Sequence, residues 1–437
     1  MKEQYQLNIG IMSAPTVEFT LVGKYRLGDE VCCGRQSVRA KLGHIYWNGR
    51  AWQELVFVPT KENCTFVLHG VTIGVGFHWQ RCESQVFSGG LRLIVERTTI
   101  TGLPTANDNI TAINQIGVED YLTSVISSEM SATSSPELLK VHAIISRSWT
   151  MNKVAEENIS GCSLFSNADT YHPVANKGDQ HYIYRRIVWY ERESHRNFDF
   201  CSDDHCQRYQ GLTRMSTAEA NVRKAIQQTW GKVLTDNEGR ICDTRFYKCC
   251  GGRTELFSTA WADRDYSYLV SVEDSPTEGG QSFCNVNDKR ILAEVLNGYD
   301  LETTDFYQWQ VRYSVGELSA VVKEKTGVNL GNILELKPLK RGQSGRIYEM
   351  EIVGTSGSLV VGKELEIRRV LSRSHLYSSA FDVEKEGDEF VLNGKGWGHG
   401  VGLCQIGAAV MADKGYSCEQ ILSHYFPNTM ISNLCNS

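Results

Sequence analysis

The stretch Val118-Glu-Asp-Tyr-Leu-Thr-Ser-Val-Ile-Ser-Ser-Glu-Met130 places one acid, Glu129, at the end of an apolar helical face. Val125 lies four residues before it and Leu122 seven, with Val118 one further turn back. Residues at these spacings share a face, so Glu129 continues a stripe that should turn toward the interior or a cleft. The run Met130-Ser-Ala-Thr-Ser-Ser-Pro136 stops the helix and leaves the carboxylate at its negative, C-terminal end. Burial and that dipole end both disfavour the ionised form. A carboxyl group that keeps its proton near neutral pH is what a general acid requires. A solvated glutamate on a fraying helix end is the plainer alternative.

The residues that follow predict a second helix from about Pro136 to Glu157, because Leu138, Val141, Ile145 and Trp149 repeat at helical spacing. Ser134 or Ser135 caps it, with Pro136 at its first position and Glu137 completing a Ser-x-x-Glu box. Lys140 and Arg147 are seven residues apart and share a face. The expectation is an αα-hairpin with an acid at the bend and two cations beyond it. An ordinary solvated face is the alternative for the cations.

The strings Glu119-Asp-Tyr-Leu, Ser128-Glu-Met, Leu139-Lys and Ser146-Arg-Ser resemble the signature of the SpoIID/LytB family of sporulation proteins and amidase enhancers. The blocks Gln207-x-Tyr209-x-Gly211, Cys250-Gly-Gly-Arg-Thr-Glu255, Gly396-Trp-Gly-His-Gly-Val-Gly402 and Ile421-Leu-Ser-His-Tyr-Phe-Pro427 follow in that family's order, so the resemblance spans roughly residues 90 to 430. It implies a lytic transglycosylase acting on peptidoglycan glycan strands, or, in the LytB branch, a non-catalytic glycan binder that assists a cell-wall amidase. A usual glycosidase needs two carboxyl groups. A lytic transglycosylase needs one, here Glu129, because the muramic acid 6-hydroxyl attacks its own anomeric carbon and gains from intramolecularity. Lys140 and Arg147 match family positions, where they would hold the lactyl carboxylate or order the hairpin. Gln207, Tyr209, His399 and Gln405 are the further substrate-binding candidates.

The glycine-rich block lies between a strand at Phe390-Val-Leu392 and a helix starting near Ala408. It fails the Gly-x-Gly-x-x-Gly dinucleotide pattern, since Val401 and Leu403 interrupt it. Its alternating glycines permit close backbone approach, either to a sugar ring or to another chain segment. A third constellation is metal-like: His195, Cys201, His205 and Cys206 put four soft or borderline ligands within twelve residues. Tetrahedral zinc takes Cys2His2 sets, and a closed shell of four protein ligands marks a structural ion. Adjacent His205 and Cys206 point apart on a strand, so the backbone must turn there, as Asp203 and Asp204 allow. The resemblance implies a zinc site near the Gln-x-Tyr motif, in line with this set, and no cofactor is expected to be needed for the chemistry.

The chain of 437 residues is long enough for two or three parts, and its 41% hydrophobic and 22% charged content is that of a globular protein. A net charge of −6 argues against nucleic acid as a partner. No stretch approaches the roughly 20 apolar residues of a membrane span. Met1-Lys-Glu-Gln-Tyr-Gln lacks a secretory apolar region, and fourteen cysteines in no short framework favour reduced thiols and the cytoplasm. The implied substrate favours the cell envelope. Work on imported or recycled wall fragments would reconcile the two, and the compartment is left open.

The fold class expected is α+β: a β-rich N-terminal region over 1–115 and a SpoIID-like catalytic body over 116–437, with two lobes around a long substrate groove. Strands are expected at Glu18–Val22, Thr65–His69, Leu91–Glu96, Thr111–Ile116 and Arg346–Ile352, with a hairpin turn at Trp47-Asn-Gly-Arg50. An insertion over about 155–200 carries Tyr182, Tyr184, Trp189 and Tyr190, as a glycan-binding flap or as a packed surface loop. Ala218–Gln228 reads as a helix, followed by a hairpin of Lys232–Thr235 with Asp243–Tyr247, and about 285–330 reads as a variable helical region. Two rival chemistries are a cysteine hydrolase built on Cys250 and His399 and a zinc amidase built on an opened His–Cys set.

Overall fold

Alternation decides the front of the molecule. In the strand Gln6–Ala14, the apolar side chains Leu7, Ile9 and Ile11 alternate and are all buried, the period of side chains sharing one core face of a sheet. The computed structural model describes residues 4–74, 80–100, 103–131, 133–159, 172–175, 182–190, 195–203, 206–213, 219–296 and 306–434. Its elements give the expected α+β class. Two compact units emerge, Met1–Thr133 with Ser194–Trp230, and Ser134–Glu193 with Gly231–Ser437.

The first unit is built on an 11-stranded sheet. The strands expected at Glu18–Val22, Thr65–His69 and Leu91–Glu96 lie within Thr16–Leu27, Thr65–Ile73 and Gly90–Ile100. Asn48 and Gly49 have φ of 47° and 75°, so Trp47-Asn-Gly-Arg50 is the tight hairpin turn its residues predict. The strand Leu103–Gly117 pairs with Gln6–Ala14 on one side and Gly90–Ile100 on the other. It runs straight into α1 (Val118–Glu129), so residue 115 falls inside a strand of this unit. Helix Glu219–Gln228 packs on α1.

The second unit opens with α2 (Pro136–Ile159). Ser135 Oγ accepts the Leu138 N–H at 3.3 Å and is the cap. The capping box expected with Glu137 is not the arrangement found: that carboxylate takes the Cys418 N–H at 2.8 Å and pairs with Lys140 at 2.6 Å. A five-stranded sheet runs in the order His172–Ala175, Tyr182–Ile187, Gly357–Gly362, Ile347–Gly354, Ile333–Arg341. Leu336, Met350, Ile352, Leu359 and Ile367 form part of the core beneath it. The described part of the insertion therefore extends a sheet, with Tyr190 donating to Glu366 at 2.7 Å, which favours packing over a flap.

Two local expectations are corrected. Lys232–Thr235 does not pair with Asp243–Tyr247. It pairs with Met430–Asn433, while Phe246–Tyr247 pairs in parallel with Leu403–Cys404. The intervening turn is real, because Asp236 Oδ1 takes the Glu238 and Arg240 amides at 2.9 and 3.0 Å. Its arms then leave for distant partners that local sequence does not reveal. The region 285–330 is also only partly helical: Gln308–Ser314 alternates and pairs with Glu389–Lys395 before the helix Val315–Thr326 begins.

Candidate functional site

Every residue of α1 except Asp120 is buried, Glu129 included at 8% exposure. The helix interior tolerates its hydroxyls because they bond back one turn, Thr123 to the Glu119 carbonyl and Ser127 to the Thr123 carbonyl, each at 2.9 Å. No basic residue stands in the last turn, so the dipole end itself offers Glu129 no cation. Its Oε1 instead accepts the backbone N–H of Arg208 at 3.2 Å.

That amide comes from a tightly built loop. Phe200–Cys201 joins the first unit's sheet beside Gln6–Ala14, with Asp199 Oδ2 taking the Asn8 N–H at 2.7 Å. A side chain at Gly10 would collide with the Phe198 ring, so only glycine lets the two segments approach this closely. The chain then turns, with Cys206 N donating to Asp203 O and Tyr209 N to Ser202 O, both at 3.0 Å. Gln207 and Tyr209 are both buried. The Tyr209 hydroxyl donates to Asn114 Oδ1 at 2.5 Å, and its ring stacks on Tyr121 at 5.2 Å. Burial pushes the Tyr209 phenol up, so it acts here as a core residue.

His195, Cys201 and Cys206 converge on the same loop. Their ligand atoms lie within 4.8 Å of one another, with Cys206 Sγ 3.5 Å from His195 Nε2. All three are half-buried, and the imidazole stacks on Phe198 at 4.5 Å. The donor set is soft enough, and close enough, for a tetrahedral thiophilic ion. His205, the fourth residue of the set, and Asp204 lie outside the described residues. Cys206 is two residues from the amide that Glu129 accepts, so whatever fixes this cluster also fixes the partner of the acid.

A cleft of about 1180 Å³ in the first unit is lined by Gln4, Gln115, Asp120, Arg223 and Trp230 and does not include Glu129. Asp120 and Glu129 are nine residues apart on α1, which puts them on opposite faces. The position of the acid, not the size of that cleft, marks the candidate site.

The remaining sequence-named residues belong to the second unit. Lys140 is held by Glu137, whose carboxylate raises its ammonium and keeps it charged. Arg147 is fully buried and donates to Ala143 O at 3.2 Å and Lys232 O at 3.0 Å, tying α2 to the neighbouring strand. His399 sits 3.1 Å from Phe246 O through Nε2, and its Nδ1 accepts the Val401 N–H at 3.1 Å. An amide can only donate, so the proton resides on Nε2. Burial and the nearby Arg245 push this imidazole well below its usual range and keep it neutral. Gln405 is buried at the start of the helix Gln405–Asp413. The glycine-rich loop is packed against chain rather than left open: Gly396 abuts the Cys249 and Cys250 carbonyls, and Gly400 the Arg346 guanidinium, both at positive φ.

Sequence reasoning missed a second cluster, Cys250, Asp274, Cys284 and Cys404, all buried with ligand atoms within 4.8 Å of one another. Three of these residues belong to no short-range pattern, and Cys250 entered only within a family block and as a rival nucleophile. That rival is corrected: burial, with hydrogen bonds from Cys284 and Cys404, pushes the Cys250 thiol well up, the opposite of nucleophile activation. Every cysteine among the described residues is a free thiol. No helix among them is long and apolar enough to cross a membrane.

Residues 106–235 match the family described as Stage II sporulation protein (SpoIID), and residues 255–402 match a Domain of unknown function (DUF8618). The first match encloses Glu129, the His–Cys loop, Gln207 and Tyr209. The chain thus carries a SpoIID-family domain, as its motifs indicated. Stage II sporulation protein D of Bacillus subtilis (strain 168) is 24% identical over 328 residues, covering 75% of this chain and 77% of that protein. Its counterpart in Bacillus amyloliquefaciens is 23% identical over 321 residues, covering 74% and 76%. The Amidase enhancer of Bacillus subtilis (strain 168) is 26% identical over 239 residues, 49% of this chain but 33% of that protein.

Proposed function

We propose that this chain is a lytic transglycosylase that cleaves the MurNAc–GlcNAc bond of peptidoglycan glycan strands, with Glu129 as acid and then base. The observation that carries the reading is a nearly buried carboxyl group at a helix C-terminus, whose Oε1 accepts the Arg208 amide. Glu129 protonates the glycosidic oxygen as the bond to the muramic C1 breaks. The resulting carboxylate takes the proton of the muramic 6-hydroxyl as that oxygen attacks C1. The product is a 1,6-anhydro ring, no water is consumed, and Glu129 ends protonated as it began.

A structural zinc held by His195, Cys201, His205 and Cys206 is part of the proposal. It supplies rigidity, not chemistry: Cys206 anchors the turn from which the Arg208 amide reaches Glu129. Gln207, Tyr209 and Arg147, being buried, position their segments. Lys140 retains exposed atoms and is the proposed glycan contact of the second unit, while His399, both ring nitrogens engaged with backbone, orders its loop and Gln405 sets the start of its helix.

A second reading rests on the Amidase enhancer match: a glycan-binding protein that assists a cell-wall amidase without cleaving glycan itself. Glu129→Gln separates the two. Cleavage should fall by at least ~100-fold, the scale of a general acid, while binding of denuded glycan strands in a pull-down persists. Absence of cleavage in the wild type, with binding intact and an amidase stimulated, would favour the second reading.

A further inference from the structure

The buried cluster in the second unit has the chemistry of a metal centre. Cys250 follows the strand Phe246–Tyr247, Asp274 and Cys284 come from a loop, and Cys404 caps the helix Gln405–Asp413. All four side chains are buried, with Asp274 at 0% exposure. Their ligand atoms lie within 4.8 Å of one another, and Cys250 and Cys284 Sγ are 3.3 Å apart. A zinc–sulfur bond of about 2.3 Å in a tetrahedral shell sets its sulfurs about 3.8 Å apart. The group is therefore already near the size of a single four-ligand shell.

The surroundings are those of ligands, not of idle thiols. Cys404 Sγ accepts the Cys250 and Gly407 amides at 3.3 and 3.4 Å, and Cys250 Sγ accepts the Gly252 amide at 3.3 Å. Asp274 takes the Tyr425 hydroxyl on one oxygen at 2.5 Å and the Cys284 amide on the other at 2.9 Å. Amide and hydroxyl donors of this kind orient anionic ligands around a cation. A divalent ion would let all four ionise together, releasing the protons they hold.

We propose that Cys250, Cys284, Cys404 and Asp274 bind one Zn²⁺ in a closed, structural site that clasps the glycine-rich loop. The placement explains the role. Cys250 and Cys404 flank the matched segment 255–402 at its two ends, so one ion staples the entry of that segment to its exit. Cys249 already exchanges both backbone hydrogen bonds with Trp397, at 2.8 and 3.1 Å, and the ion locks that pairing. Closing a loop of this length through a metal removes much of its freedom in the unfolded chain. A Cys250–Cys284 disulfide is the competing state of the same atoms.

The test uses the full chain with the first cluster removed, as the His195→Ala/Cys206→Ser double variant, and reads metal rather than activity. After dialysis against buffered zinc, elemental analysis should return one Zn²⁺ per chain. Replacement by Co²⁺ should give thiolate charge-transfer bands and the visible bands of tetrahedral cobalt. Adding Cys284→Ser should lower the zinc content to none or weaken affinity by at least ~10-fold. If that triple variant fails to fold, the cobalt spectrum of the double variant, whose four ligands are intact, still decides. A double variant that binds neither metal, with alkylation showing either free thiols or a Cys250–Cys284 disulfide, overturns the proposal. The glycan reading can fail without affecting this result.

Discussion

The two units each bring cysteines together with their ligand atoms within 4.8 Å of one another, and they do so in opposite ways. His195, Cys201 and Cys206 are half-buried and come from one short loop. Cys250, Asp274, Cys284 and Cys404 are buried and come from segments up to 154 residues apart. The first arrangement is local: it shapes a turn, and through the Arg208 amide it reaches Glu129, the acid of the proposed chemistry. The second is global, because it gathers distant segments, which the proposed ion would fasten. Cysteine count alone does not distinguish these jobs; exposure and the sequence distance between ligands do.

The contrast breaks first under a chelator. A strong zinc chelator should strip the half-buried loop site quickly and lower glycan cleavage by about 10- to 100-fold, as the single variant Cys206→Ser should by itself. The buried site should release its ion only with unfolding of the second unit, so metal content should fall in two separate phases. One shared phase would erase the distinction drawn here.

Acid should separate the units next. His142 on α2 is fully buried, and neither ring nitrogen has a hydrogen-bond partner. Burial, with the nearby Lys248, pushes this imidazole down to about 3. The native state thus refuses a proton that the unfolded chain accepts below about pH 6.5. Its contribution to stability is full above that pH and is lost as pH falls toward 3, a change of about 4 kcal/mol over the window. Urea unfolding of the second unit followed against pH should show this slope, and His142→Leu should flatten it. A slope unchanged in the variant would mean that other groups carry the acid response.

A smaller effect tests the start of the second unit. Ser135→Ala removes the cap of α2 and should cost about 1 kcal/mol in thermal or denaturant unfolding, without altering zinc content or cleavage. Loss of activity from this change alone would mean that the start of α2 serves the acid more directly than capping does.

Much of this was legible in sequence because it is local. Helical spacing set α1 and the burial of Glu129, period two set the strands, and Asn48-Gly49 set its turn. The loop cluster was readable because its ligands lie within twelve residues. What could not be read depends on partners far away. The arms of the Asp236 turn go to Met430–Asn433 and Leu403–Cys404, and no window around residue 236 contains either. The buried cluster failed to register for the same reason. Burial also changed the meaning of residues chosen by type: Arg147 and Tyr209 read as substrate contacts, yet each is enclosed and bonded within its own unit.

The central claim is that Glu129 alone, acting as acid and then base, opens the glycan strand. Mass spectrometry of products from glycan strands with and without stem peptides, incubated with wild type and Glu129→Gln, tests it most directly. The account predicts 1,6-anhydro-muramic ends from the wild type and none from the variant. Products with ordinary reducing ends that persist in Glu129→Gln would contradict it, removing both the proposed mechanism and the residue assigned to it.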